Sequence, residues 1–438
     1  MQEAVDTLLL PRWLIPVVPE GAVLEGQALA IRDGRIHAVL PAAEAQHRYQ
    51  ASAVVELPEH ALIPGLINLH THAAMNLLRG FADDLPLMEW LNNHIWPAEG
   101  RWVSPEFVRD GSLLAIAEML RGGITCCNDM YFFPDAVAEA ARAAGMRIRL
   151  GIILIEFPSA WAKDAAEYLD KGLALRERYR NDPLIGFTLA PHAPYTVSAA
   201  NLARVAKLAE SLDLPIHIHV HETATEVEDH LARHGCRPWR SLKELGLVSR
   251  RLIAVHMTQL SDEEIHEAAA AGVSVVHCPE SNLKLASGFC PVARLIAAGV
   301  NVALGTDGAA SNNDLDLFGE MRTAALLAKG VAADASALPA ARVLTMATLN
   351  GARALGLEAE LGSLEPGKWA DLAAVELGGL ESQPLYHPIS QLVYATGRQQ
   401  VSDVWVAGRR LLDRRRLTTL DAEELGARAR QWRDRITG

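Results

Sequence analysis

Between Ala61 and Gly308 the chain repeats one pattern eight times: a short apolar run, then a longer amphipathic stretch rich in Ala, Leu, Glu and Arg. The runs are LINLHTH near 66, ITCCNDM near 124, RIRLGIIL near 147, IGFTLAPHA near 185, PIHIHVHE near 215, LIAVHM near 252, VSVVHCPE near 273 and NVALGTDG near 301. Strands this continuously apolar are buried on both faces, and alternation with helices is the mark of a parallel sheet. Eight such units predict an α/β fold closed as a (β/α)₈ TIM-like barrel. Polar residues gather where each run ends, and the C-terminal ends of barrel strands are where enzymes of this architecture place their chemistry.

The two ends of the chain read differently. Residues from about 4 to 60 hold short β-like pieces punctuated by turns, with Asp33-Gly34 in ALAIRDGRIHAVL a hairpin signal. After VLTMATLNGARALG, the segments SLEPGKWADLAAVEL and VSDVWVAGRRLLD return to short strands. The expected organisation is a catalytic barrel over 61–362 and a small β-sandwich domain built from 1–60 and 363–438, the latter ending in a helix.

The formal charge of −12, from 41 basic and 53 acidic residues, repels a phosphate backbone and argues against nucleic acid as a partner. No apolar run approaches the roughly 20 residues that span a bilayer, and the N-terminal segment lacks the basic start and apolar centre of a signal peptide. A cytoplasmic protein is expected. The large apolar fraction, 50% of the residues, together with the fold is compatible with a homo-oligomer. Five cysteines show no CxxC spacing and read as reduced thiols.

His70-Thr71-His72 closes the first run, and period-two spacing turns both imidazoles to one side. In the fifth run His217, His219 and His221 alternate in the same way. Not all three can be ligands of one ion. The strand is expected to end near His219, which frees Glu222 to turn over the barrel mouth as an acid or base. The sixth run ends at His256 and the eighth at Asp307. A shell of imidazoles with one carboxylate suits Zn²⁺ or Fe²⁺ better than Mg²⁺ or Ca²⁺, which take oxygen.

These residues resemble the amidohydrolase superfamily, whose motifs stand here as PGLINLHTH, HIHVHETATE, AVHMTQL and GTDGAASNN. Closer detail in HAAMNLLRGFADDLPLMEWL, PHAPYTVS and HCPESNLKLASGFCP is similar to the branch of 5-methylthioadenosine/S-adenosylhomocysteine deaminases and triazine chlorohydrolases. The resemblance implies that His70, His72, His219 and Asp307 ligate the metal and that Glu222, His256 and Asp307 act in catalysis. It implies a single ion, because the fourth run offers no lysine to bridge a second. The implied reaction is hydrolytic removal of the 6-amino group of an adenine nucleoside. The water would be activated on the metal, with Asp307 taking its proton, His256 orienting it and Glu222 protonating ring N1.

The resemblance further implies substrate contacts from Glu99, in Trp96-Pro97-Ala98-Glu99, and from His192, with Glu222 and Asp307 beside them. Trp90 is expected in the core or in a pocket wall, and His277, at the seventh strand end, is expected to help shape the pocket. The arginine that binds substrate in this branch follows the third strand, where this chain reads RIRLGIILIEFP and Arg149 is no clear replacement. That departure favours 5-methylthioadenosine or adenosine over S-adenosylhomocysteine. The alternatives are a deaminase of a free purine such as guanine or 8-oxoguanine, an s-triazine amino- or chlorohydrolase, and, more distantly, a non-catalytic assembly protein on the same fold. Zinc deaminases of the His/Cys/Cys class need HxE followed by PCxxC, which does not occur.

Overall fold

The computed structural model describes residues 2–438. The N-terminal segment forms β1 (Glu3–Leu14), β2 (Leu24–Glu25), β3 (Gln27–Arg32), β4 (Arg35–Pro41) and β5 (Tyr49–Pro64). β3 and β4 are joined through Asp33 and Gly34, whose φ values of 52° and 74° fit the primed turn that matches the twist of a two-residue hairpin. The barrel strands follow as β6 (Leu66–Thr71), β7 (Ile124–Asp129), β8 (Arg147–Leu154), β9 (Ile185–Pro191), β10 (Ile216–Val220), β11 (Leu252–His256), β12 (Ser274–His277) and β13 (Asn301–Leu304). The C-terminal segment adds β14 (Leu372–Glu376), β15 (Val401–Val406), β16 (Arg409–Asp413) and β17 (Arg416–Leu417).

The strands from the two chain ends share one nine-stranded sheet, in which β14 pairs with β5 and β5 with β1. The sheet doubles over on itself. The Gly34 carbonyl accepts from the Ala370 N–H at 2.9 Å, and Arg35 bridges to Trp369. Between the facing halves lie Leu9, Leu29, Ile36, Leu372 and Trp405, all buried. The terminal helix Ala422–Thr437 packs instead on the barrel helix Pro105–Arg121, where the Trp432 indole N–H and the Arg428 guanidinium both donate to Asp110.

Strands β6 to β13 pair in sequence order, all parallel, as far as β13. The ring is completed at the β13–β6 seam by bonds from the residues just beyond β13. The Asp307 N–H donates to the His70 carbonyl at 3.0 Å, and the Asn68 carboxamide accepts from the Thr306 N–H at 3.0 Å while donating to its hydroxyl at 2.7 Å. Gly305 makes this approach possible, since a Cβ there would lie 2.8 Å from the His70 nitrogen.

Partners in a parallel ladder point to the same side, so Val255, in register with His219, and Ile253, in register with His217, face the barrel interior with them. Val276 and Ala303 continue that layer, and Leu355, Leu361 and Trp369 close it from below. The interior is therefore filled at its base and open only toward the strands' C-terminal ends.

Sheet and barrel are locked by a buried ion pair. Arg147, opening β8, donates to both carboxylate oxygens of Asp371 at 2.9 and 3.2 Å, and Asp371 also accepts from the Ala407 N–H. Removing one partner leaves an uncompensated buried charge, a loss of about 3–5 kcal/mol. Asp371→Ala is therefore expected to lower the thermal unfolding midpoint by several degrees, measured by calorimetry, while the folded protein keeps its metal affinity. An unchanged midpoint would show that the pair does not tie the two units.

Candidate active site

Four side chains from three strand ends meet at the barrel mouth. His70 closes β6 together with Thr71, His72 follows it, His219 lies in β10, and Asp307 stands just past β13. The Asp307 Oδ1 atom is 3.2 Å from His70 Nε2 and 3.3 Å from His72 Nε2, and His219 Nε2 is 3.2 Å from His70 Nε2. His256 Nδ1 or Nε2 also comes within 4.8 Å of donor atoms on His70 and Asp307.

The hydrogen bonds behind these atoms decide what they offer. His219 Nδ1 lies 2.7 Å from the His192 carbonyl, and His72 Nδ1 lies 2.5 Å from the Met130 carbonyl. A carbonyl only accepts, so each Nδ1 carries the hydrogen and each ring presents its Nε2 inward. Burial pushes His70 down to about 4 and His219 well below the ordinary histidine range, which keeps these rings neutral at pH 7. Burial works against ionisation of Asp307, but the His70 hydrogen bond and the neighbouring imidazoles hold its carboxyl well below the usual range. The Ser281 hydroxyl and the Gly308 N–H, each at 2.7 Å, fix its two oxygens. The Nε2 of a neutral His72 facing the Asp307 carboxylate at 3.3 Å is a lone pair against a lone pair, a contact that a cation between them would relieve. This donor set fits a divalent transition ion.

The remaining sequence-predicted residues surround that cluster. Glu222 is buried with its Oε2 3.7 Å from His256 Nε2, and burial pushes its carboxyl above the ordinary range. His256 Nδ1 is 2.8 Å from Asn282 Oδ1. The three alternating histidines of β10 divide their roles. His217 sits beneath His70, its Nε2 2.9 Å from His70 Nδ1, whereas His221, at φ 53°, leaves strand geometry and accepts from the Trp239 N–H.

A cavity of roughly 490 Å³ opens above the cluster, with His72, His219, Glu222, His256 and Asp307 at its floor. Glu99, on the helix Trp96–Trp102, lines the wall and accepts from the Tyr131 hydroxyl at 2.6 Å. Burial raises the Glu99 carboxyl, opposed by that hydrogen bond and by His72. His192 lines the cavity with its Nδ1 on the Thr196 hydroxyl at 2.9 Å. Trp90 is both core and wall, buried with its indole N–H on the Ala82 carbonyl. His277 is fully buried and stands outside the lining. Arg149 is also outside it, stacked over Gly186 in the lower barrel, where any Cβ would collide with the guanidinium. Sequence reasoning missed Ser281, Asn282 and Tyr131. Tyr131 lies two residues beyond β7, and Ser281 and Asn282 lie on the short helix Pro279–Lys284 after β12, within the motif HCPESNLKLASGFCP that was their available signal.

Fold and donor set together define a metal-dependent barrel of the hydrolase type. The amidohydrolase family profile matches residues 61–411, and the chain belongs to that family. A protein of Teredinibacter turnerae named 5-methylthioadenosine/S-adenosylhomocysteine deaminase is 51% identical over 432 residues, covering 99% of this chain and 98% of its own. The crystal structure of an adenosine deaminase from Xanthomonas campestris with bound zinc superposes with a TM-score of 0.99 at 56% identity, over 100% of both chains. Atrazine chlorohydrolase from Arthrobacter aurescens, complexed with zinc, gives 0.90 at 26% identity over 97% of this chain and 99% of its own.

One divalent ion per chain is the expected stoichiometry in washed protein, measured by elemental analysis. His219→Ala and Asp307→Ala should each abolish it. Full occupancy in either variant, or two ions per chain in the wild type, would remove these residues as the ligand set.

Proposed function

We propose that the protein is a hydrolytic deaminase of adenine nucleosides, with 5-methylthioadenosine its best substrate and one Zn²⁺ held by His70, His72, His219 and Asp307. The observation that carries this reading is the placement of two buried carboxyl groups at one cavity floor, Asp307 within 3.3 Å of the imidazoles of His70 and His72 and Glu222 3.7 Å from His256. A divalent ion bound there supplies a water whose pKa falls toward about 7.

The chain's own groups do the rest. Glu222 holds a proton for ring N1, which makes C6 electrophilic. Asp307 accepts a proton from the attacking water, and His256, held by Asn282, orients that water. The C6–O bond forms as the C6=N1 bond opens, Asp307 passes its proton to the exocyclic nitrogen, and ammonia leaves as the C6–N bond breaks and C6=O forms, the hydroxyl proton returning to Glu222.

Two features of the wall support the nucleoside. Glu99, braced by Tyr131, offers a carboxylate for ribose hydroxyls, a group for which a free base has no use. Leu87, Leu91, Ile95, Trp96 and Phe157 make the same wall apolar, and no Lys or Arg among the described residues lines the cavity. A thioether methyl suits that surface, whereas the amino-acid end of S-adenosylhomocysteine brings charge with no opposite partner.

Ammonia release by zinc-loaded protein tests the reading. 5-Methylthioadenosine is expected to exceed S-adenosylhomocysteine in kcat/KM by at least about fivefold, the lower end of leaving a polar group unpaired. Glu99→Ala should cost about ten- to a hundredfold on 5-methylthioadenosine and nothing on adenine. Equal losses on base and nucleoside would make Glu99 structural, and a wild-type preference for guanine or a triazine would overturn the nucleoside assignment.

A further inference from the structure

The motif HIHVHETATE ends in a carboxylate that the proposed chemistry leaves unused. Glu226 lies in the first turn of the helix Ala224–His234, whose N-cap Thr223 hydroxyl accepts from the Glu226 N–H at 3.1 Å. Its side chain turns back toward β10 instead of outward. Oε1 accepts from the His221 N–H at 3.0 Å and Oε2 from the Glu222 N–H at 2.7 Å. Both donors belong to the bend where β10 ends and His221 adopts φ 53°.

The opposite side of the same peptides is held as closely. The Thr258 hydroxyl donates to the Glu222 carbonyl at 2.6 Å, and the Thr258 N–H donates to the His221 carbonyl at 3.0 Å. The backbone of these two residues is thus gripped by a carboxylate on its donor side and by Thr258 on its acceptor side. The Glu222 side chain has little of its own to hold it, only the Ser287 hydroxyl at 3.4 Å and His256 at 3.7 Å. A group that must meet ring N1 within hydrogen-bond reach, yet is itself weakly tethered, takes its aim from its backbone.

We propose that Glu226 and Thr258 are positioning residues that clamp the His221–Glu222 backbone from both sides and so aim the Glu222 carboxyl at the substrate. The proposal rests on the reading of Glu222 as proton donor. Neither residue is among those that meet at the floor beside Asp307, so the clamp is separable from metal binding. A helix-capping role alone would govern stability, whereas a clamp governs the chemical step.

Steady-state kinetics of the zinc-loaded protein with 5-methylthioadenosine test this, using Glu226→Ala, Glu226→Gln and Thr258→Val, each alone and combined with Glu222→Gln. Glu226→Ala should lower kcat by about a hundredfold, the scale of a misplaced catalytic group, with KM and bound zinc at wild-type values. Glu226→Gln keeps one acceptor oxygen and should recover part of that loss. Thr258→Val, which preserves shape without the hydroxyl, should lower kcat in the same direction and provides the test if Glu226→Ala does not fold. With Glu222→Gln already present, none of the three should cost anything more, because the group they aim is gone. Additive losses in the double variants, or wild-type kcat in the single ones, would overturn the clamp. Wild-type turnover of Glu222→Gln alone would overturn the proton-donor reading, and the clamp with it.

Discussion

The barrel closes at the point where it gathers its donor atoms. The hydrogen bond from the Asp307 N–H to the His70 carbonyl completes the β13–β6 seam. The same approach brings the Asp307 carboxylate against His70 and His72. Gly305 allows the two strands to come this near. Without the seam, the first and last strands would carry their polar ends to opposite edges of an open sheet. Closure and site assembly are therefore one structural event. The buried layer of Val255, Val276 and Ala303 below it keeps water from the floor and stiffens the strands that carry the imidazoles.

Support behind the donor atoms comes mostly from backbone. The carbonyls of Met130 and His192 fix the tautomers of His72 and His219, so the aim of these two rings depends on the path of β7 and β9 as much as on the imidazoles. Two side chains also do this work, His217 bracing His70 from beneath and the Ser281 hydroxyl holding Asp307. The consequence is a site whose precision is spread over five strands. A substitution that shifts β9 would move His219 even though no ligand had changed.

The barrel was legible because strands buried on both faces leave continuous apolar runs, and the strand-end histidines because period two is a rigid rule. His70 and His72 follow it, and so do His217 and His219 up to the left-handed turn at His221, where the pattern stops predicting direction. A sequence period cannot report that turn. Nor can it separate His217, packed under His70, from His219 beside it, since both face the same interior; the family resemblance made that choice. Ser281, Asn282 and Tyr131 escaped for another reason. Their roles come from partners 26 to 32 residues away that meet them only in the closed barrel, so the motif around Ser281 and Asn282 shows a family pattern without showing what each side chain touches. Arg149 shows the converse, a charged residue near the expected position whose strand register points it into the lower barrel.

The division between Glu222 and Asp307 follows from their surroundings and not from their chemistry. Both are buried carboxyl groups, and burial alone raises both. Asp307 escapes because His70, His72 and His256 stand around it and because His70 hydrogen-bonds to its carboxylate. For Glu222 the opposing contributions of His256 and the Ser287 hydroxyl are too small to reverse burial, and the Asp307 charge adds to it. Ionisation of the first therefore helps protonate the second. The proposed deamination uses this asymmetry, with Asp307 assigned to take a proton from water and Glu222 to give one to the ring.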